Sequence, residues 1–260
     1  MTLDIAARRE LADRFAQIAE TAGAAIMSVY GEAAAVAKAD GSPLTEADLL
    51  AHRAILDGLA QTCPEIPVIS EEDAEHCAAP AAGHFILVDP LDGTREFVSR
   101  NGEFTVNIAL IEDGCPVAGV VLAPALGRIW AGAVGAGAYT RGAGNAGWRP
   151  ITARCRPADG LVAVASRSHR DASTDAFLAG LAVGGLRSMG SSLKFCLVAE
   201  AEADVYPRFG PTMEWDTAAG HAVLEAAGGR VLTPEGAPFR YGKPGWRNGA
   251  FIGWGASPPG

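Results

Sequence analysis

A wholly apolar run, Phe85-Ile-Leu-Val88, meets six residues of another kind with no spacer: Asp89-Pro90-Leu91-Asp92-Gly93-Thr94. The run reads as a short strand. It places Asp89 where the chain leaves the sheet at its carboxyl end, and sheet ends are where binding loops gather in α/β proteins. Pro90 stiffens the backbone and Gly93 permits close approach. Two aspartates three apart on such a stiff turn can converge on one point. Carboxylates about 4 Å apart repel by about 4 kcal/mol at an effective dielectric of about 20, so the arrangement calls for a cation. An all-oxygen ligand set favours a hard one, magnesium or calcium. An exposed Asp-Pro-Leu-Asp-Gly turn is the plainer alternative.

The rest of the chain supplies a frame. Residues 4–30 carry Leu11, Phe15, Ile18, Ala22, Ile26 and Val29 at steps of three or four, which predicts one amphipathic helix. A second helix is expected from Thr45 to about Leu59, after the Gly41-Ser42-Pro43 break. Pro67–Ser70, Phe104–Ile111, Val117–Leu122, Ile129–Ala133 and the region of Tyr139 read as strands, several in hairpins. The glycine-rich stretch Arg141–Gly147 is the best candidate boundary, so residues 1–147 and 148–260 are expected as two subdomains. Beyond it, strands at Leu161–Ala165, Ala203–Tyr206 and Arg230–Leu232 alternate with helices at Thr174–Leu181, Ser191–Ala201 with Ser191 or Ser192 as N-cap, and Asp216–Ala227, the last closed by Gly228-Gly229. The mixture is α/β to α+β.

Three more acidic places stand near predicted element ends. Ser70-Glu71-Glu72-Asp73 follows a short strand; alone it reads as a solvated loop, but beside the strand ending in Asp89 it offers a bridging carboxylate. Trp215-Asp216 and Thr45-Glu46-Ala47-Asp48 both open helices, where capping is the ordinary explanation. Cations also occur. Ser191 and Lys194 lie one helical turn apart, and with Arg208 they can neutralise a second phosphate, or they are ordinary surface groups. His169 suits a polar surface or packed histidine better than a ligand.

The formal net charge of −9 over 260 residues excludes a general attraction for nucleic-acid polymers or anionic membranes. An anionic substrate therefore needs local Lys, Arg or metal ions. Acidity argues against strong membrane attachment and leaves weak peripheral association open. Five cysteines without a C-x-x-C pair fit a reducing compartment rather than a disulfide framework or a zinc site. No secretory signal and no apolar run of about 18 residues is evident, so a soluble cytoplasmic protein is the expectation.

Taken together, Glu71-Glu72, D-P-L-D-G-T at 89–94, Trp215-Asp216 and Gly228-Gly229 resemble the lithium-sensitive inositol monophosphatase superfamily. The segments R-N-G-E-F-T-V-N-I-A-L-I at 100–111, G-S-S-L-K-F-C-L-V-A-E at 190–200 and Y-P-R-F-G-P-T at 206–212 are similar to those of its bacterial 3′(2′),5′-bisphosphate nucleotidases of the CysQ type. The likeness runs from about Gly41 to Gly229. It implies a five-layer α-β-α-β-α sandwich and two to three Mg²⁺ ions, with inhibition by Li⁺. It also implies hydrolysis of adenosine 3′,5′-bisphosphate to AMP and phosphate. Carried over to this chain, Glu71, Asp89, Asp92 and Asp216 are metal-binding carboxylates and Leu91 lends its carbonyl. Asp48 and Thr94 orient the attacking water, with Glu71 beside the ion that activates it. The N–H groups of Gly93 and Thr94 hold the scissile phosphate. Ser191, Lys194 and Arg208 contact the rest of the nucleotide, and His169 lies near base or ribose. An inositol monophosphatase or a histidinol-phosphatase would share the metal core, since substrate choice is set elsewhere. A nucleotide-binding regulator without turnover is the non-enzymatic reading.

Overall fold

The computed structural model describes residues 3–31, 36–37, 43–74, 83–142, 147–166 and 171–256. The chain opens with α1 (Ile5–Val29), capped by Asp4, whose side chain accepts from Ala7 N at 2.8 Å. A small ladder of β1 (Val36–Ala37) and β2 (Pro43–Leu44) precedes α2 (Glu46–Thr62). Seven strands then form one sheet with neighbours in chain order. They are β3 (Val68–Ser70), β4 (His84–Asp92), β5 (Thr105–Glu112), β6 (Cys115–Ala123), β7 (Arg128–Ala133), β8 (Gly137–Gly142) and β9 (Arg149–Ile151). Within this sheet, among the described residues, only β3 and β4 pair in parallel. A short helix, α3 (Thr94–Val98), joins β4 to β5.

The second half contributes β10 (Leu161–Ser166), α4 (Ala172–Ala179), β11 (Val183–Met189), α5 (Leu193–Ala199), β12 (Val205–Arg208), β13 (Thr212–Met213), α6 (Glu214–Ala226), β14 (Arg230–Leu232), β15 (Arg247–Asn248) and β16 (Phe251–Trp254). Five of these strands make a second sheet in the order β11-β10-β12-β16-β14, and β13 pairs with β15 alone. The chain crosses from the first sheet to the second between Ile151 and Leu161. Gly147 thus lies before the last strand of the seven-stranded sheet, not after it.

Strand alternation explains the layering. On β4, Ile86 and Val88 pack with Phe15 and Ile26 of α1 and Ile55 of α2, while Phe85 and Leu87 pack with Trp215, Ala219 and Val223 of α6. A sheet buried on both faces needs apolar residues at every position, and all eight residues of β5 are buried. The second sheet covers the far side of α5 and α6, with Phe251 and Tyr206 in the same core. Its outer face is closed by Phe177 and Leu178 of α4 against Leu161, Val205 and Trp254. The result is the five-layer α-β-α-β-α sandwich. A Cβ at Gly119 of β6 would lie 2.8 Å from both Ala219 O and Ala222 Cβ, so α6 rests on bare sheet backbone. No helix of the described residues is long and apolar enough to cross a membrane.

Two local expectations change. Asp89 does not leave the sheet: β4 continues through Asp92, with Asp89 opposite Asn107 and Asp92 opposite Thr105. A register shift between the two aspartates absorbs Pro90, which cannot donate to the ladder. Of the two candidate caps of α5, Ser192 is the one used, and Ser191 lies outside the helix. It takes a left-handed φ of 49°, and α5 begins at Leu193.

Candidate active site

A cavity of about 470 Å³ is lined by residues of both halves, among them Glu71, Asp89, Asp92, Asp216, Lys194 and Arg208. Alternation along β4 turns Asp89 toward the α6 side, continuing Phe85 and Leu87. Glu71 follows β3 and its N–H donates to Val88 O at 3.1 Å, which holds it beside the end of β4. Asp216 sits in the first turn of α6. Acids 145 positions apart (Glu71 to Asp216) therefore share one cavity.

Each of the three aspartates uses one oxygen to fix its orientation. Asp89 Oδ1 accepts from Leu91 N at 3.1 Å, Asp92 Oδ2 from Ser192 N at 2.7 Å, and Asp216 Oδ2 from Met213 N at 2.8 Å. Asn107 Nδ2 and Thr105 Oγ1 also reach Asp92 Oδ2, each at 3.4 Å. The second oxygen of each aspartate accepts no hydrogen bond from the described residues. Capping at Asp216 occupies one oxygen and leaves the other available to a ligand.

Like charges enclosed together resist ionisation. Burial, then Glu71, Asp92, Asp216 and Asp48, drive the Asp89 carboxyl well above the usual range. Burial and then Asp92 do the same to Asp216. Asp92 is pushed up to about 6 by burial, against the pull of Lys194 and the Ser192 N–H. Lys194 at Asp92 and Arg208 at Asp216 do not offset burial and mutual repulsion, and the donors are all oxygen, with the Leu91 carbonyl close by; a hard divalent cation fits that set. Among the described residues no three His, Cys, Asp or Glu side chains already close on an ion-sized point. Asp89 and Asp92 both line the cavity, and the charge of Asp92 is felt at Asp89.

Asp48 caps α2 and also reaches Thr94. Its Oδ2 accepts from Thr45 N and Thr45 Oγ1, each at 2.7 Å, while its Oδ1 lies 3.4 Å from Thr94 Oγ1. Thr94 Oγ1 is also 3.4 Å from Leu91 O. Gly93 has φ +91°, and a Cβ there would press into Ser191 Oγ. Gly93→Ala is expected to lose about 1–3 kcal/mol of stability, as a left-handed non-glycine position does, and to spread Asp92 from Ser191. Urea unfolding midpoints of the two proteins check it.

Lys194 is 4% exposed. Its Nζ donates to Ser191 O at 2.6 Å and lies 5.3 Å from the Tyr206 ring centroid. Burial lowers its pKa to about 8, opposed by Asp92. Arg208 ends β12 and donates to Gly210 O at 3.2 Å and Pro211 O at 3.0 Å. Ser191 borders the cavity, but its hydroxyl lies 2.9 Å from Asp92 O and 2.7 Å from Glu103 O. Its single proton serves the backbone, so the substrate contact expected of Ser191 is not its first role. His169 lies outside the described residues. The lining also includes Arg95, Ser166, Tyr206 and Met213, which sequence reasoning missed. Arg95 directly follows Thr94 and was within reach; Ser166 and Met213 have no distinguishing pattern.

The family model of the inositol monophosphatase family matches residues 8–254. The chain belongs to the inositol monophosphatase family. The match is wider than residues 41–229, because α1 and β16 are part of the family fold although their sequences have little motif character. The chain is 50% identical over 234 residues to the 3′(2′),5′-bisphosphate nucleotidase CysQ of Escherichia coli O157:H7, covering 88% of this chain and 93% of that one. The crystal structure of CysQ from Bacteroides thetaiotaomicron, titled a bacterial member of the inositol monophosphatase family, superposes with a TM-score of 0.81. That chain is 40% identical, with 96% of this chain and 98% of that one covered. The inositol monophosphatase of Anabaena shares the inositol monophosphatase fold at a TM-score of 0.75 and 24% identity, over 95% of this chain and 90% of that one.

Proposed function

We infer that this chain is a phosphoric monoester hydrolase of the 3′(2′),5′-bisphosphate nucleotidase type. Two observations carry the reading: relatives so named are half identical over nearly the whole chain, and acidic and cationic side chains line one cavity. The substrate is adenosine 3′,5′-bisphosphate, and the products are AMP and phosphate.

Glu71, Asp89, Asp92, Asp216 and the Leu91 carbonyl would hold two to three Mg²⁺ ions. Bound there, Mg²⁺ supplies a Lewis acid that makes water more acidic and offsets charge on phosphate and leaving oxygen. The chain's own residues do the rest. Thr94 Oγ1, tied to Asp48, orients the attacking water. The first N–H groups of α3 have no helical partner, and those of Gly93 and Thr94 grip the scissile phosphate. Water attacks phosphorus in line, the P–O ester bond breaks, and the ribose oxygen leaves with a proton. Lys194 and Arg208 take the remaining phosphate, and no side-chain nucleophile is required. The site has no use for a nucleic-acid polymer, and we place the enzyme in the cytoplasm.

Phosphate release from adenosine 3′,5′-bisphosphate, inositol phosphate and histidinol phosphate, measured side by side with Mg²⁺ and with or without Li⁺, tests this reading. The bisphosphate is expected to be preferred by at least about tenfold, the size of one charge-assisted contact, and Li⁺ to suppress its turnover. Equal rates on all three would remove the nucleotidase assignment. Nucleotide binding without release would favour a regulator.

A further inference from the structure

The mechanism leaves one buried amide unexplained. Asn248 of β15 is 8% exposed and lies opposite Thr212 of β13. Its Nδ2 is 2.7 Å from Met213 O, 3.0 Å from Thr217 Oγ1 and 3.1 Å from Thr212 Oγ1. Its Oδ1 is buried with no hydrogen-bond partner among the described residues. An unsatisfied buried carbonyl costs about 1–3 kcal/mol, so the residue is poorly chosen for stability alone. Turning the amide over gives no relief, because Oδ1 would then face the Met213 carbonyl.

The acceptors show what the donors do. Met213 is the residue whose N–H holds Asp216 Oδ2 at 2.8 Å. Thr217 directly follows Asp216, and its Oγ1 is held a second time by the Tyr241 hydroxyl at 3.2 Å. Thr212, Met213, Asp216 and Thr217 all border the cavity. One NH₂ group therefore grips the chain on both sides of Asp216 from behind.

We propose that Asn248 is a positioning residue that sets the carboxylate of Asp216 for the metal. This rests on Asp216 being a ligand. It assigns a task to the segment after Gly229, where the sequence offers no motif. Removing the amide frees the Met213 carbonyl and the Thr217 hydroxyl to turn, and Asp216 turns with them. The nucleotide, held by Lys194 and Arg208, keeps its contacts.

Asn248→Ala, Asp216→Asn and the double variant test this by calorimetric titration with Mg²⁺ alone and by steady-state kinetics. Asn248→Ala is expected to weaken Mg²⁺ binding about tenfold and to lower kcat by a similar factor, with KM for the nucleotide within about twofold. Its melting temperature without metal should change little, since an unpaired carbonyl leaves with the side chain. The double variant should be no worse than Asp216→Asn. If Asn248→Ala does not fold, Asn248→Asp, which keeps the shape and loses the donors, is measured in the same way. Loss of Mg²⁺ binding in Asp216→Asn with unchanged binding in the Asn248 variant overturns the positioning role alone. Multiplying losses in the double variant overturn it too. Unchanged binding in Asp216→Asn removes the ligand assignment, and the positioning role with it.

Discussion

Asp92→Asn is expected to lower turnover by about a thousandfold and yet to make the metal-free protein more stable at pH 8. The first effect follows if the charge of Asp92 offsets about 4 kcal/mol of charge development, each 1.4 kcal/mol being a factor of ten. The second follows from linkage. The Asp92 carboxyl titrates at about 6 in the folded chain and near 3.9 unfolded. Between those values the folded state holds a proton that the unfolded state releases. Stability from this group is therefore present at low pH, falls as pH rises through about 4 to 6, and stays low above that. Asn cannot ionise, so the deficit vanishes, and its amide oxygen can still accept from Ser192 N. Thermal melts in EDTA at pH 5 and pH 8 read the effect: the variant's advantage is expected at pH 8 and should shrink at pH 5. Added Mg²⁺ should raise the wild-type midpoint far more than the variant's. A variant that is less stable than wild type at pH 8 without metal would refute the claim of uncompensated charge.

Arg208→Ala should separate substrate preference from chemistry. Charge-assisted hydrogen bonds contribute about 1.5–3 kcal/mol, so KM for the bisphosphate is expected to rise about 10- to 100-fold. A simple monophosphate ester leaves the second-phosphate site empty, and its slow hydrolysis should change less than about threefold. The guanidinium also ties β12 to Gly210 and Pro211, so Arg208→Lys is the better test of planar recognition; it should recover only part of the loss, as lysine lacks the fork. Equal losses on both substrates would show that Arg208 serves the fold of this wall and not the second phosphate.

Elements with a strong local period were legible. The helix of residues 4–30 and the hairpin of β5 and β6 appear within a few residues of their expected bounds, because alternation and helical spacing there coincide with burial. Seven strands of the described residues were not foreseen, among them two of the second sheet. Residues Val183–Met189 contain two glycines and lie half exposed at a sheet edge, so burial left no pattern. Phe251–Trp254 is short, and its partners are β12 and β14, distant in sequence. At the site, Asp89 and Asp92 were recognisable as a pair, but the register shift between them on β4 was not. Proline usually argues against a strand interior, and only the ladder to Thr105 and Asn107 shows how this one is accommodated. The left-handed backbone of Ser191 had no signal either, because serine is not the residue that conformation selects. Asn248 acts through contacts that bring residues 212 and 248 together, and no window along the chain contains both.

The seat of α6 on bare backbone at Gly119 has a wider consequence. No flexible side chain cushions the helix against the first sheet there, so the spacing of Asp216 from the acids of β4 is inherited from the main chain. Lys194 and Arg208 belong to α5 and β12, elements that carry none of the four carboxylates. Substitutions in those elements can remodel which organic group is accepted while the carboxylates keep their spacing. A scaffold divided in this way can diversify its substrates by drift on one wall, which accounts for how a chain so close to the nucleotidases shares its architecture with an inositol monophosphatase at 24% identity.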